Sequence, residues 1–473
     1  MSEVIEQTAA CWPQVLVSDV SELIRGVTYS KKHATDRPQE GYIPVLRATN
    51  IQESRLVLES DLVFVPNSNV SANQRLRAGD IVVATSSGSK HLVGKSGLLH
   101  SDWPGSFGAF CAAIRPKANI ESRYLAAFLQ SPSYWKQVGK KALGVNINNL
   151  RRGDIESLTL PLPPLEKQRE IVAELEKQFS RLDEAVANLQ RVKANLKRYK
   201  ASVLKAAVEG RLVETEATLA RREGRTYETG EQLLQRILEE RRATWNGKGK
   251  YKEPLSHAPQ ELPDALEGWT WCSLDVVAEE TQLGLDRGRE QQRAEPVGVR
   301  YVKMNNVSMD GDVQTDELVY VDASQEEVAR YELANGDLLF NTRNSLELVG
   351  KVGIVRSVPI GTVFNNNLMR IRTCSGVSSV FLGYQMCAPD FRQRMEKVKK
   401  ATTSVAAVYQ KDLLPLPIAL PPIREQARIV AEVDRHLSIL REVEAEVDAN
   451  LQRAQTLRQA TLAKAFTSYS SVF

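Results

Sequence analysis

The sequence predicts an α+β chain made of two similar mixed α/β modules, separated by two long helices packed as an antiparallel coiled coil. Three observations predict it. The second half of the 473-residue chain restates the first, each copy ends in a proline pair, and each proline pair leads into a long heptad stripe.

The repeat sets the organisation: a first module over 1–160, a spacer helix over 161–210, a linker with a short helix over 211–263, a second module over 264–416 and a C-terminal spacer helix over 417–473. Trp12 opens WPQVLVSDV and Trp269 opens WTWCSLDVV. VLRATNI (Val45 to Ile51) matches YVKMNNV (Tyr301 to Val307), and GDIVVAT (Gly79 to Thr85) matches GDLLFNT (Gly336 to Thr342). The offset is 257, the separation of Asp80 and Asp337. LVGKSG (Leu92 to Gly97) then meets LVGKVG (Leu348 to Gly353), Phe107 meets Phe364, and SPSY (Ser131 to Tyr134) meets APDF (Ala388 to Phe391).

Within each module, short β-type runs such as YIPVL, LVFV, DIVVAT and DLLFNT alternate with Gly, Asn and Ser turns, which predicts a mixed α/β domain. LPLPPLEKQREIV (Leu160 to Val172) and IALPPIREQARIV (Ile418 to Val430) close the two copies. A Pro-Pro pair is excluded from a helix interior but suits the approach to a first turn, so helices begin there. Apolar residues then fall at Val172, Leu175, Phe179, Leu182, Val186, Leu189, Val192, Leu196, Tyr199 and Val203, a heptad seam with a stammer. The second stripe runs through Val430, Val433, Leu437, Leu440, Val443, Val447, Leu451, Ala454 and Leu457. The two seams are expected to bury each other. A helix from Glu166 to Val208 measures about 65 Å at 1.5 Å per residue, which suits a spacer more than the cover of one core. Between the copies, EQLLQRILEERRATW (Glu231 to Trp245) predicts one docking helix on a tether. Arg241, Arg242, Lys248, Lys250 and Lys252 either touch phosphates or belong to a solvated linker.

Composition bounds the function classes. With 42% hydrophobic and 25% charged residues, this is an ordinary globular chain, too long for one compact core. A net charge of +4 and a pI near 8.6 lean towards an anionic partner without reaching the pI above about 9 of a small DNA-binding domain. Cys11, Cys111, Cys272, Cys374 and Cys387 lie far apart with no CxxC pair, against a disulfide framework or zinc ribbon. The amino terminus lacks a signal-peptide pattern and no apolar run is long enough to span a membrane, so a cytoplasmic protein without membrane partners is expected.

Catalytic motifs are missing. His33, His91, His100, His257 and His436 form no metal-ligand spacing, so no metal site and no catalytic residue are predicted. GSKHLVGKS (Gly88 to Ser96) misses the phosphate-binding loop register by one, because Ser89 stands where glycine is required. The second copy has Val352 in place of the magnesium-binding hydroxyl, which favours a structural turn in both. Neither the Asn- or Asp-Pro-Pro-aromatic loop of an adenine methyltransferase nor a GxGxxG fingerprint occurs.

The twin modules, proline junctions and heptad helices resemble the specificity subunits of Type I restriction-modification systems over essentially the whole chain. QREIV, QARIV and the carboxy-terminal LAKAF (Leu462 to Phe466) fit that pattern. In the first module, LIRGVTY (Leu23 to Tyr29), DLVFVP (Asp61 to Pro66), SSGSK (Ser86 to Lys90), VGKS (Val93 to Ser96), SFGAFC (Ser106 to Cys111) and NINNL (Asn146 to Leu150) resemble the amino-terminal recognition domain of the EcoKI-like branch. The resemblance implies a non-catalytic subunit with two target-recognition domains, each gripping one half of a split target in double-stranded DNA. It further implies two methyltransferase subunits and two restriction/translocase subunits as partners. No cofactor is implied in this chain; S-adenosylmethionine, ATP and Mg belong to those partners.

Base reading calls for polar side chains on loops after strands, since Arg, Asn, Gln and Ser match the donors and acceptors of base edges. The DNA-binding candidates of the first module are Tyr29, Lys31, Arg47, Asn50, Ser86, Ser87, Ser89, Lys90, His91, Asn146, Asn148 and Asn149. Those of the second are Lys303, Asn306, Thr342, Arg343, Asn344, Ser345, Asn365, Asn366, Asn367, Thr402, Thr403 and Ser404. Many of these types also form turns for backbone reasons alone. Asn50 and Asn306 occupy equivalent positions, which suggests a shared turn or phosphate contact, and Lys95 and Lys351 call for the same reading. Three competing classes are a self-sufficient restriction-methylation enzyme, a coiled-coil scaffold that binds no nucleic acid, and a single-stranded RNA binder. The first lacks its motifs, the second leaves the divergent polar loops unexplained, and the third is disfavoured by 6% aromatic content.

Overall fold

The computed structural model describes residues 12–87, 92–142, 149–245, 250–254, 262–401 and 405–466. The chain divides into two compact units, one of residues 1–191 and 447–473, the other of residues 192–446. Each long helix therefore contributes to both units.

In the first unit, a four-stranded antiparallel sheet runs in the order Ser21–Arg25, Cys111–Pro116, Ile81–Ala84, Ser96–Leu98. A second sheet joins Val63–Pro66, Tyr42–Leu46 and Ser106–Phe107, the last pair parallel with Leu46 opposite Phe107. Gln14–Leu16 pairs with Thr159–Pro161, stitching the two ends of the module together.

The second unit repeats these three sheets. Its large sheet runs Ala278–Leu283, Leu368–Thr373, Leu338–Asn341, Val352–Ile354, and its smaller one joins Val319–Val321, Val299–Val302 and Val363–Phe364. Thr270–Ser273 pairs with Pro417–Leu420. The internal repeat is thus a repeat of topology and register.

The shared motifs have local reasons. The Asp of the Gly-Asp pair is buried in both copies. Asp80 takes the Arg115 guanidinium through Nε and a terminal nitrogen, both at 2.8 Å, and Asp337 takes Arg372 at 2.8 and 3.2 Å. The Leu-Val-Gly-Lys segments turn at Gly94 and Gly350, with φ of 88° and 86°, a left-handed conformation open to glycine. Each Gly amide returns to the preceding strand, Gly94 to the Ala84 carbonyl and Gly350 to that of Asn341, both at 2.8 Å. Lys351 turns inward and donates to the carbonyls of Met304 and Val307 at 2.8 and 2.6 Å, so it braces a turn.

After the proline pairs, helices run over Leu165–Val208 and Ile423–Phe466, 44 residues each. The glutamine shared by their first turns clamps each start. Gln168 donates to the Pro163 carbonyl at 2.8 Å and accepts the Glu121 amide at 2.8 Å. Gln426 does the same with Pro421 at 3.0 Å and Ser378 at 2.8 Å. Both glutamines are fully buried.

The helices run antiparallel within each unit. In the first, Leu462 and Phe466 join Ile171, Val172 and Leu175 in one core, with the Phe466 ring 5.1 Å from Tyr124 and 5.7 Å from Phe128. In the second, Val203, Leu204 and Ala207 pack into the core that holds Ile429, Val433 and Leu437. Burial along the stripes is uneven. Val192, Tyr199, Val443 and Leu457 remain exposed, because two helices alone have too little facing surface to enclose every seam position.

The linker departs from expectation. It holds two helices, Glu216–Glu223 and Gly230–Ala243, and both are built into the second unit. Leu233 and Ile237 lie in its core, and Glu216 is buried between Arg225 and Arg428. Arg241 donates to the carbonyls of Asp275, Val276 and Ala278, and Arg242 pairs with Glu253. Arg241 is a structural fastener and Arg242 forms an exposed ion pair, whereas Lys250 and Lys252 are exposed and Lys248 lies outside the described residues.

Candidate nucleic-acid interface

Cys111 opens the strand beside the clearest opening in the first module, and its backbone shapes that opening. Phe107 and Cys111 are bridged by a tight turn, Gly108-Ala109-Phe110, closed by the Cys111 amide on the Gly108 carbonyl at 2.8 Å. The Phe110 carbonyl accepts the amides of Thr85 at 2.9 Å and Ser86 at 3.1 Å, so this turn and the loop after Ile81–Ala84 are held side by side. A cleft of about 740 Å³ results, lined among others by Tyr29, Arg47, Thr49, Ser86, Ser87 and Phe110. A second cleft of about 500 Å³ adjoins it, lined among others by Arg25, Thr85, Ser86, Phe110, Asn149 and Arg152.

Arg47 is half exposed, with Nε and one terminal nitrogen turned to Asp61, which also receives the Thr49 hydroxyl. Burial raises the Tyr29 hydroxyl above the ordinary tyrosine range, opposed by the Arg47 charge. Burial pushes the Cys111 thiol up to about 12, so it stays protonated and unreactive. The four described cysteines are all buried and free. Among the described residues, no group of three or more His, Cys, Asp or Glu is placed to hold a metal ion.

Of the first-module candidates, Tyr29, Arg47, Ser86 and Ser87 meet in the larger cleft and Asn149 lines its neighbour. Lys31 begins a short helical turn, Lys31–His33. Asn50 is a correction. It is completely buried, its Oδ1 accepts the Arg47 amide at 2.8 Å and its Nδ2 donates to Val57 and Ser60 carbonyls, so it shapes a turn and cannot reach a base. Ser89, Lys90, His91, Asn146 and Asn148 lie outside the described residues.

In the second module, Lys303 donates to Gln292 at 3.0 Å, Arg343 and Ser345 are exposed, and Asn366 and Asn367 are half-buried at the turn after Phe364. Three candidates, Asn306, Thr342 and Asn365, are corrected by their burial. Asn306 repeats the Asn50 turn on Lys303 and Glu317. Thr342 is buried with its hydroxyl on the Asn367 carbonyl. Asn365 is buried between the Tyr301 hydroxyl and the Asn367 amide. Asn344 bonds Asn341 and the Ser345 amide. Thr402, Thr403 and Ser404 lie outside the described residues.

Hydrogen bonds also fix which positions correspond. Thr342 donates to the Asn367 carbonyl at 2.8 Å as Thr85 does to that of Phe110. Val408 donates to Thr342 at 3.0 Å as Leu150 does to Thr85 at 2.7 Å. Ser86 bridges to Asn149 and Arg343 to Ala407. Ser86 thus answers to Arg343, Asn149 to Ala407, and Phe110 to Asn367. One scaffold carries different chemistry at matched places. Phe110, Thr49, Arg25 and Arg152 were missed from sequence; aligning Phe110 with Asn367 across the repeat was the signal for the first.

Comparison with known proteins agrees with this architecture. A family described as Type I restriction modification DNA specificity domain matches residues 11–197. The chain is 30% identical over 457 residues to the Type I restriction enzyme EcoKI specificity subunit of Escherichia coli (strain K12), covering 96% of this chain and 88% of that one. It is equally 30% identical to the StySPI specificity subunit of Salmonella potsdam, with the same coverage. A solved structure from work on complex assembly and conformational transition of the type I R-M system matches with a TM-score of 0.61 at 20% identity, over 96% of this chain and 97% of that one.

Proposed function

Given that this chain belongs to the Type I restriction enzyme specificity subunits and serves as a DNA sequence specificity subunit, we propose that it reads a bipartite target, one half-site per module, and directs adenine methylation or restriction by partner subunits. The observation that carries this reading is the pairing of matched scaffolds with unmatched side chains. Ser86 against Arg343, Asn149 against Ala407 and Phe110 against Asn367 differ in what they can offer a base edge, while the Thr85 and Thr342 amides bond the matched carbonyls of Phe110 and Asn367 and their own carbonyls accept the matched amides of Leu150 and Val408.

The remaining polar candidates, Lys31, Ser89, Lys90, His91, Asn146, Asn148, Thr402, Thr403 and Ser404, belong to the same proposed reading surface. The chain does no chemistry in this account. Two methyltransferase subunits bring S-adenosylmethionine and the pocket for the flipped adenine, and two restriction/translocase subunits bring ATP and Mg. No helix among the described residues is long and apolar enough to cross a membrane, and the proposed site of action is the cytoplasm, where the DNA is.

The test is co-expression with the cognate methyltransferase subunit and mapping of methyladenine across a genome by direct sequencing of native DNA. A single split motif with a constant gap and methyladenine on both strands is expected. Absence of motif-linked methylation from a folded, assembled complex would return the chain to the scaffold reading.

A further inference from the structure

Phe110 is the exception in the first module's interface. The residue is 68% exposed although its ring is the group most costly to leave in water there. A single exposed apolar residue needs no explanation by itself. This one stands on the wall shared by two clefts, with Arg47 and Ser87 on one side and Asn149 and Arg152 on the other. The carbonyl of Phe110 is fastened to Thr85 and Ser86, so the ring's root is held on the loop that carries the polar candidates. In the second module the Thr342 amide holds the Asn367 carbonyl as the Thr85 amide holds that of Phe110, so the frame does not require an aromatic residue at this place.

A phenyl ring offers no hydrogen bond to a base edge. Of the groups lining the major groove, the C5-methyl of thymine is the apolar one, and Phe is suited to pack on it. We propose that Phe110 is a specificity-determining residue of the first half-site that reads a thymine by its methyl group, flanked by polar side chains that read its neighbours. This rests on the assignment of the module as a DNA reader. Unlike that assignment, it concerns one base and one substituent.

The experiment uses the assembled methyltransferase complex and duplexes carrying the mapped target, with each thymine of the first half-site replaced in turn by deoxyuridine, which deletes only the methyl group. Burial of one methyl group against the ring predicts about a four-fold loss of affinity at one thymine. Phe110→Ala is expected to lower affinity for the target and to erase the difference between thymine and uracil there, while Phe110→Leu keeps part of it. Because the side chain is exposed, both variants should fold. Indifference of the unaltered complex to uracil at every thymine overturns the proposal, as does a half-site containing no thymine. A loss in Phe110→Ala that leaves the uracil penalty intact also overturns it, in favour of a wedge between bases. Equal affinity of the unaltered complex for target and scrambled duplexes would instead refute the DNA-reading assignment itself, which separates the two failures.

Discussion

Replacing the Asp of each Gly-Asp pair by Ala should cost the two modules different amounts. Asp80 is 1% exposed and accepts three hydrogen bonds, two from Arg115 and one from the Arg77 amide at 2.9 Å. The Arg115 side chain is only 13% exposed, so Asp80→Ala strands a charge that water barely reaches, a change worth about 3–5 kcal/mol. Asp337 is as well buried, but the Arg372 side chain is 38% exposed and has a second carboxylate, Glu280, at 3.3 Å. Solvent and Glu280 take up the charge, leaving mainly the lost hydrogen bonds, about 1–3 kcal/mol for Asp337→Ala. A chain of two units need not unfold in one step, so the assay must be local. Amide exchange in Ile81–Ala84 and in Leu338–Asn341 reports opening of each module separately. Adding Arg115→Met to Asp80→Ala should recover most of the loss, since the stranded charge goes with it. Equal losses in the two modules, or a larger one for Asp337→Ala, would refute the reasoning.

Matched four-residue insertions in the helices Leu165–Val208 and Ile423–Phe466 add about one turn, roughly 6 Å, and should change the number of unread base pairs while leaving both half-sites as they are, as methylation mapping would show. Arg47→Ala should cost about 1–3 kcal/mol on the target alone if the guanidinium reads a base, and weaken all duplexes alike if it meets phosphate; binding to target and scrambled duplexes at several salt concentrations distinguishes these. Asn50→Ala should destabilise the first module by about 1–3 kcal/mol, measured by amide exchange, and leave the methylated motif unchanged. Burial raises the Glu425 carboxyl, which accepts Trp269 Nε1 and the Glu216 amide. A carboxyl raised on folding favours the folded state most at pH below its unfolded range and loses that contribution as pH rises through its folded value. Glu425→Gln should therefore flatten the fall in stability of the second unit with rising pH.

The repeat was legible because its shared residues do backbone work that few others can do. Gln168 and Gln426 each clamp a proline carbonyl and a helix-start amide, and Asp80 and Asp337 each hold an arginine. The same logic explains what sequence reading got wrong. Asn50, Asn306, Thr342 and Asn365 are polar residues near loops, as base readers should be, yet their side chains are committed to turns, and composition does not separate these uses. Equivalence across the repeat does: Asn50 and Asn306 are alike because the frame needs them, so positions that differ carry the specificity. The linker escaped for another reason. Its charges read as a solvated tether, but Arg241 reaches three carbonyls 34 to 37 residues away in sequence, and Glu216 meets Arg428 across 212. Such long-range partners leave no local pattern. Phe110 was passed over because an apolar residue in a β-rich stretch reads as core, and its exposure follows only from the tight turn that lifts it out between two clefts.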